Sequence, residues 1–572
     1  CQMLNSSTAA AILKSGMYKR PYASLRANAL LATVATLLSL CLFVPLVLLF
    51  RSAFLDADGN FVGWDNFSTY FANPALMSSI GHSIWIAVLA ILITVPVAGL
   101  YAFAINNTQM PGKAWFKVIA FFPILAPSIL PALALVYLFG QQGVFKDVLG
   151  DISIYGPIGI LISYCFWLFP AIFILMLGAF RQVDRRLIEA SQTLGKNTLQ
   201  THWYVTRPAI QYGLVSASLV AFTYVVTDFG IPKVIGGSFN MMALDVYKQI
   251  IGQQNINMGA VISILLLCPA LFAFLIDRYQ ARRQQRRQQN MAEPYQMPAH
   301  PILDKCLLGF CSVVAGSIVL ILVTAILASL IRYWPYDLSL TLNHYRFEYV
   351  NGGWNSYWNS LQLAFWTSVV GTALIFTTVW ALERLNTSNQ LKQYVRMLAL
   401  LPLAIPGLVL GIAYILFFNH PANPLAMLYG TMTLLVISTL MHYYTVPHLT
   451  LTQSMQQIPQ QLDHAAQTLG VSRFKLLSQV YIPIMVPALG EVWVYLFVNA
   501  MTTVSAAIFL YSPETSLAAV DILNMDDAGD TVSAVALSVV ILLTSCVVKL
   551  LHWALSQRYL KRTKRWRQHR SA

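Results

Sequence analysis

The sequence contains few charged residues, and this scarcity limits the class of protein. Only 10% of the 572 residues are Asp, Glu, Lys or Arg, while 57% are hydrophobic. Soluble domains carry about a quarter charged residues, so the composition excludes an ordinary soluble enzyme. The chain holds about twelve apolar runs near the roughly 20 residues that span a bilayer as a helix. Because these runs do not alternate between polar and apolar residues, we predict helices and not a β-barrel.

Motifs for chemistry are also missing. No stretch has the G-x-x-x-x-G-K-[ST] spacing that cradles nucleotide phosphates, so we expect no ATP site in this chain. The seven cysteines show no metal-ligand spacing, and we interpret them as small core residues. No cluster of His, Asp or Cys suggests a catalytic site. The sequence therefore predicts neither an enzyme nor a metal or cofactor site in this chain.

Positive charge is concentrated at the ends and in the middle of the chain. The net charge is +14, and basic residues mark segments 1–28, 278–304 and 556–572. This arrangement is typical of the cytoplasmic segments of a membrane protein, and it does not require nucleic acid as a partner. We interpret residues 29–277 and 305–555 as two units of six spans each, parallel repeats about an axis along the membrane normal. Both termini and the linker, which we expect to touch lipid phosphates, are then cytoplasmic.

One polar pattern occurs twice in this apolar sequence. EASQTLG ends at Gly195 and is followed by Pro208, and HAAQTLG ends at Gly470 and is followed by Pro483. The second copy lies 275 positions after the first, both at the Gly and at the Pro. A spaced polar repeat between membrane spans indicates that both halves present the same device to the aqueous side.

Small residues give this device its predicted shape. They are Ala190 and Gly195 in the first copy and Ala465, Ala466 and Gly470 in the second. Alanines allow another surface to approach closely, glycine permits a sharp turn, and proline suits the first turn of the next helix. We therefore predict a short helix on the cytoplasmic face in each of the loops 181–208 and 454–483, joined to the next span by a rigid corner.

The pattern Glu-Ala-Ala, three residues, Gly and a downstream Pro resembles the signature of permease subunits of binding-protein-dependent ABC importers. The resemblance covers almost the whole chain, as two fused permease units. The residues that match are Glu189, Ala190 and Gly195, with Ala465, Ala466 and Gly470. Two positions depart from the pattern, because Ser191 replaces the second Ala and His464 replaces Glu. The second loop is therefore expected to engage its partner less strongly or differently.

This resemblance implies a fold, a location and partners. It implies an all-α protein of the bacterial inner membrane with the type I ABC importer architecture. The two loops would dock into a cytoplasmic ABC ATPase, expected as a homodimer, which would bind the ATP and magnesium. An external solute-binding protein would deliver the solute. A twelve-span secondary transporter is the alternative class, but the spans hold few of the ionisable groups that ion coupling requires.

The spans that follow the two loops are candidate walls of a pore. At the 275-residue offset, polar residues recur in pairs: Tyr224 with Asn499, Thr227 with Thr502, and Asp228 with Thr503. Hydroxyl and amide groups at matching depth suit a hydrated solute. Hydrogen bonding between helices is the alternative reading of these residues.

The sequence around and after each candidate pore wall limits the candidate substrates, and it does so only through resemblance to known permeases. VVTDFGIPKVIGG (225–237) and ILNMDDAGD (522–530) resemble 2-aminoethylphosphonate permeases, and they are also similar to ferric-iron permeases. We therefore predict 2-aminoethylphosphonate as the substrate, with ferric iron, then thiamine or a polyamine, as alternatives. The acidic residues Asp521, Asp526, Asp527 and Asp530 are expected in an external loop that helps to receive the binding protein.

Overall fold

The computed structural model describes residues 21–148, 150–287, 293, 295–347 and 353–568. Parts of the predicted terminal segments (1–20 and 569–572) and of the predicted linker (288–292 and 294) lie outside these described residues. Within the described chain, nine helices are long and apolar enough to span a membrane, and two bent pairs raise the number to eleven. The prediction of an all-α membrane protein is therefore confirmed.

The first half is built from helices of very different length. Short π-helical turns, Ser39–Phe43, His202–Thr206 and Lys248–Gly252, and short 3₁₀ turns interrupt or connect them. Its helices are α1 (Pro21–Leu38), α2 (Val44–Ser52), α3 (Asp65–Ala72), α4 (Pro74–Asn107), α5 (Lys113–Phe121), α6 (Leu130–Phe139), α7 (Pro157–Phe180), α8 (Arg185–Thr193), α9 (Thr198–Thr201), α10 (Arg207–Thr227), α11 (Gly230–Ile235), α12 (Met242–Tyr247) and α13 (Ile256–Arg287).

The second half repeats this order and adds a small hairpin. Strands β1 (Ile331–Tyr333) and β2 (Asp337–Leu340) pair antiparallel, and a π-helical turn covers Leu477–Tyr481. The helices are α14 (Pro301–Leu330), α15 (Gly353–Arg384), α16 (Asn389–Leu400), α17 (Gly407–Phe418), α18 (Met432–His442), α19 (Thr445–Gln456), α20 (Gln461–Thr468), α21 (Arg473–Leu476), α22 (Ile482–Met501), α23 (Ala518–Asp527) and α24 (Thr531–Gln568).

Two predicted spans are sharply bent at equivalent places. The segment Lys113–Leu125 meets Leu130–Phe139 at 102°, and Asn389–Ala404 meets Gly407–Phe418 at 114°. Prolines at each break lack the backbone donor that would continue the helix, and their rings clash with the preceding turn. A third predicted span is divided, because α18 has only 11 residues and α19 follows it after a short break. These three segments explain why fewer than twelve uninterrupted spans are present in the described chain.

The first helix of each half packs against the other half. Helices α1 and α2 contact α16 and α17 of the second half, and Ser39 Oγ lies 2.7 Å from the hydroxyl of Tyr394. In return, α14 packs against α5 and α6 of the first half. The indole nitrogen of Trp334, just beyond α14, donates to the carbonyl of Tyr137 at 2.9 Å. The two halves are therefore interleaved.

Both repeated loops lie on one face of the molecule, here called the loop face. The linker residue Glu293 pairs with Arg186 of α8 at 2.7 Å. The hydroxyl of Tyr559, near the end of the last helix, donates to the carbonyl of Pro483 at 2.6 Å. On the same face, Asn28 of α1 accepts a hydrogen bond from the backbone N–H of Ser388. This common face is what an even number of spans in each half predicts. The hairpin, α12 and α23 lie on the opposite face.

Candidate functional site: the two repeated loops and the path between the halves

Each repeated loop contains a short helix, as predicted. In the first loop, Asp184 caps α8 by accepting the backbone N–H of Arg186 at 3.0 Å. Ile188 and Ser191 face the interior, and Ser191 Oγ lies 3.0 Å from the hydroxyl of Thr201. In the second loop, α20 is the equivalent helix. Both helices present their remaining residues on the loop face.

The glycine of each motif ends its helix in the left-handed region. The φ angle is +73° at Gly195 and +65° at Gly470, values that side chains with a Cβ disfavour. The N–H of Gly195 bonds to the carbonyl of Gln192 at 2.9 Å, and the N–H of Lys196 bonds to that of Ser191 at 3.2 Å. The equivalent two bonds around Gly470 measure 3.2 and 2.9 Å. This is the Schellman motif, so the predicted turns have a structural cause.

The prolines of the motifs do not form the corner that the sequence predicts. Pro208 and Pro483 are each the second residue of a long helix, and a π-helical turn, His202–Thr206 or Leu477–Tyr481, runs directly into it. The chain therefore enters this helix before the proline. Because proline cannot donate to the preceding turn, a locally wider π turn accommodates it. The same adjustment occurs in both halves.

The alanine positions divide into an exposed and a buried set. Ala190 and Ala465 are exposed on the loop face, whereas Ala466 and its equivalent Ser191 are buried against the rest of the chain. A small residue at the buried position allows each short helix to lie close to the membrane helices. The exposed alanines remain accessible to another molecule. Ala466, which matches the motif, therefore lies on the side of its helix that packs against the rest of the chain.

Large apolar side chains project from both loops. Leu194 is 79% exposed and its equivalent Leu469 is 78% exposed, and Phe474 of the second loop is also 78% exposed. Trp203 and Tyr204 are exposed beside the first loop. Contiguous exposed apolar residues with a polar rim mark interaction surfaces. An exposed leucine recurs at the same motif position in both loops, so both copies are accessible to another molecule.

The charges of the two loops differ. Glu189 is exposed and forms an ion pair with Arg185 one turn earlier on α8, at 2.6 Å. His464, at the equivalent position of the second loop, is also exposed. In the second loop the preceding residue, Asp463, forms an ion pair with Arg384 at 2.9 Å. The negative charge is therefore on the surface in the first loop and turned towards the membrane helices in the second.

Among the predicted pore residues, Tyr224 lies where the two halves meet. Its ring centroid is 5.4 Å from that of Trp167. Its hydroxyl is close enough to the hydroxyls of Tyr443 and Tyr495 in the second half to interact with them electrostatically. The side chain of Tyr224 is 41% exposed. This position between the halves is compatible with a pore wall, which stays a prediction.

Four of the other predicted pore residues form hydrogen bonds within their own half. Three of them bond to backbone carbonyls of their own helix: Thr227 to Thr223 at 2.8 Å, Asn499 to Tyr495 at 2.7 Å and Thr502 to Val498 at 3.1 Å. Asp228 accepts from the hydroxyl of Tyr164 at 3.3 Å and from the N–H of Ile231 at 3.1 Å, and Thr503 is buried. The structure does not bring these five residues together across the halves.

A second contact that is repeated in both halves was not predicted from the sequence. The N–H of Met242 bonds to Ser83 Oγ at 2.9 Å, and the N–H of Ala518 bonds to Ser360 Oγ at 2.8 Å. These bonds attach α12 and α23 to the start of the long helices α4 and α15. The spacing of Ser79 and Ser83, repeated at 356 and 360, was the available signal.

Each of these attached short helices carries a buried aspartate. Asp245 is 2% exposed and Asp521 is 1% exposed. Asp521 accepts from Ser516 Oγ at 2.5 Å, and burial raises the pKa of both carboxyl groups. The prediction that Asp521 is part of an accessible acidic loop is therefore wrong, because its carboxylate points into the protein and supports α23.

An ion pair joins the two halves on the face opposite the loop face. Lys233 of α11 forms an ion pair with Asp527 of α23 at 2.9 Å. Burial and the neighbouring Asp527 raise the pKa of Asp526 to about 6, while Lys233 acts in the opposite sense. Burial and the charge of Asp526 also raise the pKa of Tyr155. Carboxylates and phenols thus lie together where the halves meet on this face.

The family of the chain follows from two separate matches. Residues 95–286 and residues 373–561 each match the family described as "Binding-protein-dependent transport system inner membrane component". The chain belongs to this family. Each match contains one of the two loops, so the chain is a fused two-unit permease of a binding-protein-dependent ABC importer. The secondary-transporter alternative is thereby set aside.

Named relatives match most of the chain or a part of it. The ferric transport system permease protein FbpB of Actinobacillus pleuropneumoniae is 26% identical over 91% of this chain and 78% of its own length. A ferric transport system permease protein of Haemophilus influenzae is 28% identical over 84% of this chain and 78% of its own length. A spermidine/putrescine transport system permease homologue of Mycoplasma genitalium is 30% identical over 38% of this chain and 74% of its own length.

Solved structures are similar to a part of the chain. A bacterial alginate ABC transporter in complex with an alginate pentasaccharide-bound periplasmic protein is 17% identical, with a TM-score of 0.36. The likeness covers 44% of this chain and 90% of that chain.

Proposed function

We propose that this chain is the membrane subunit of an ATP-driven importer of ferric iron. The supporting observation is the extent of the matches. The two ferric transport permeases match 91% and 84% of the chain, across both halves. The spermidine/putrescine permeases are matched over 74% and 92% of their own length and cover 38% and 43% of this chain. Nothing in these relatives' names supports 2-aminoethylphosphonate, the first prediction from the sequence. Ferric iron, the first alternative, takes its place.

The chemistry of the opposite face supports a cationic solute. Three carboxylates of the second half lie close enough to tyrosine hydroxyls of the first half for their charges to interact. Asp526 and Asp530 are near Tyr137, Asp526 is near Tyr155, and Asp527 is near Tyr247. Carboxylate and phenol oxygens are hard donors, which suit small cations of high charge. The same negative charge would repel the phosphonate group of 2-aminoethylphosphonate. Among the described residues no group of three or more His, Cys, Asp or Glu could hold a metal ion, so these carboxylates would attract a cationic solute without forming a metal site.

The repeated loops support an ATPase partner on the loop face. We infer that this face is cytoplasmic and that each loop inserts its exposed leucine, Leu194 or Leu469, into one subunit of an ABC ATPase dimer. That partner would bind ATP and magnesium. An external solute-binding protein would then deliver iron to the opposite face. Two similar loops on one face match the two-fold symmetry of a dimeric partner.

A polyamine is the second candidate solute. Spermidine and putrescine are polycations, so the carboxylates at the junction of the halves would attract them as well. The spermidine/putrescine permeases of Mycoplasma genitalium and Haemophilus influenzae are similar to parts of this chain. Thiamine has no comparable support.

Uptake into reconstituted vesicles tests this proposal. The chain is placed in vesicles with its ATPase, ATP inside and the solute-binding protein outside. Radioactive ferric iron, spermidine and 2-aminoethylphosphonate are then compared. We expect ATP-dependent uptake of iron only, abolished when the binding protein is omitted. Uptake of spermidine or of the phosphonate in place of iron would overturn the substrate, and iron uptake without ATP would overturn the importer.

A further inference from the structure

The side chain of Arg384, the last residue of α15, holds the second loop in place. The side chain is only 5% exposed. One terminal nitrogen pairs with Asp463 of α20 at 2.9 Å, and the other donates to the carbonyls of Met455 and Ile458 at 2.6 Å each. The planar guanidinium has donors at fixed angles, so these three bonds define one position of the loop relative to α15.

Tyr481 extends this contact to the next membrane helix. Its hydroxyl donates to the second oxygen of Asp463 at 2.5 Å, and its ring lies 5.1 Å from the guanidinium of Arg384. Tyr481 is the last residue of the π-helical turn that runs into α22. Arg384 and Asp463 therefore connect the end of α15, the end of α19, the loop helix α20 and the start of α22.

The first loop is attached in a different way. At the 275-residue offset, Ile188 stands where the second loop has Asp463, and it is buried. The ion pairs of α8 are Arg185 with Glu189 and Arg186 with the linker residue Glu293, and all four side chains are more than half exposed. Exposed pairs contribute little rigidity. Among the described residues, a charged attachment through a buried arginine is therefore found at the second loop and not at the first.

We propose that Arg384 is a positioning residue that transmits movement of the second loop to α15 and α22. This inference rests on the proposed function, because it assumes that an ATPase moves α20. With Arg384 in place, the loop helix and the ends of the two membrane helices move as one unit. The first loop reaches its helices through apolar packing and through the linker, so the two halves respond to the partner by different contacts.

Arg384→Met tests this role, and Arg396→Met is its matched control. Arg396 pairs at 3.0 Å with Glu383, the residue next to Arg384; this ion pair does not involve α20. Iron uptake and ATP hydrolysis are measured in the vesicles described above. We expect Arg384→Met to reduce iron moved per ATP hydrolysed by roughly ten-fold, a typical size for a coupling between sites. The Arg396→Met variant should retain the wild-type ratio.

Spin labels give a readout that is independent of transport. Labels at Gln467 of α20 and at Asn386 beyond α15, both exposed, should show a narrow distance distribution in the wild type and in Arg396→Met. The distribution should broaden in Arg384→Met. If that variant does not reach the membrane, Arg384→Lys replaces it, since lysine retains the charge but cannot make the forked contact.

The outcomes separate this inference from the proposed function. A wild-type ratio together with a narrow distribution in the Arg384 variant would overturn the positioning role and leave the importer intact. A wild-type chain that shows no ATP-dependent iron uptake would overturn the proposed function, while the spin-label distances would still decide whether Arg384 positions the loop.

Discussion

Substitutions at the two motif glycines can distinguish backbone strain within the chain from a clash with a partner protein. Gly195 and Gly470 have positive φ angles, and a Cβ added at either position would meet no atom within 4 Å. Alanine therefore costs only the left-handed backbone strain, about 1 kcal/mol. Glutamine has the same backbone cost, because the space around each site is open. Any further loss with glutamine must come from a second molecule that occupies this space.

The assay is ATP hydrolysis and iron uptake in vesicles, with membrane expression as a control. We expect glutamine at either motif glycine to reduce stimulated hydrolysis about ten-fold relative to alanine, since bulk in a packed contact typically costs more than 1 kcal/mol. Gly59, with φ +83° and no neighbour within 4 Å, provides the control on the opposite face. Equal activity of the alanine and glutamine variants at both loops would refute the docking of the loops.

The same assay tests the expected difference between the two loops. From the sequence, the first copy should be the more sensitive one, because it retains Glu189 where the second has His464. The structure places Arg185 2.6 Å from Glu189, so a partner would have to attract this carboxylate away from an existing ion pair. We expect a larger loss at Gly195 than at Gly470, and an equal or larger loss at Gly470 would contradict the expected difference.

Three further predictions follow from residue positions. Ala466→Leu should lower stability by about 1–3 kcal/mol through overpacking, whereas Ala465→Leu should preserve stability and weaken ATPase binding; thermal unfolding and pull-down measure the two effects. Because the pKa of Asp526 is raised to about 6, its contribution to stability should be lost as pH rises through that value, and Asp526→Asn should flatten the dependence of the unfolding temperature on pH. In a background without native cysteines, Gln467→Cys should react with impermeant reagents only from inside the cell and Asp58→Cys only from outside; the reverse pattern would contradict the orientation.

Local features of the fold could be predicted from the sequence. The scarcity of charge identified the membrane helices, and prolines such as Pro127 and Pro406 lie in the sequence at the breaks of the two sharply bent spans. The repeated motif identified both loop helices and their glycine ends. Each of these features depends on residues close together in the chain, where periodicity and backbone preference decide the structure.

Features that depend on distant residues could not be predicted. Asp521 and Asp527 belong to one acidic stretch, yet Asp521 is buried beside Ser516 while Asp527 reaches Lys233 of the other half. Composition does not distinguish the two carboxylates. The bonds of Thr227 and Asn499 to their own helices were equally hidden, because a polar residue in a span suits a pore and a helix backbone alike.

The interleaving of the halves has an evolutionary consequence. In a homodimer of single units, every substitution at the contact would appear twice, related by symmetry. In the fused chain, α1 and α14 always meet different neighbours, so each surface can change independently of its counterpart. Ile188 of the first half and Asp463 of the second, which pairs with Arg384, are a difference that a homodimer could not hold. Fusion of the two units thus allows one half to hold its loop by a charged contact while the other holds its loop by apolar packing.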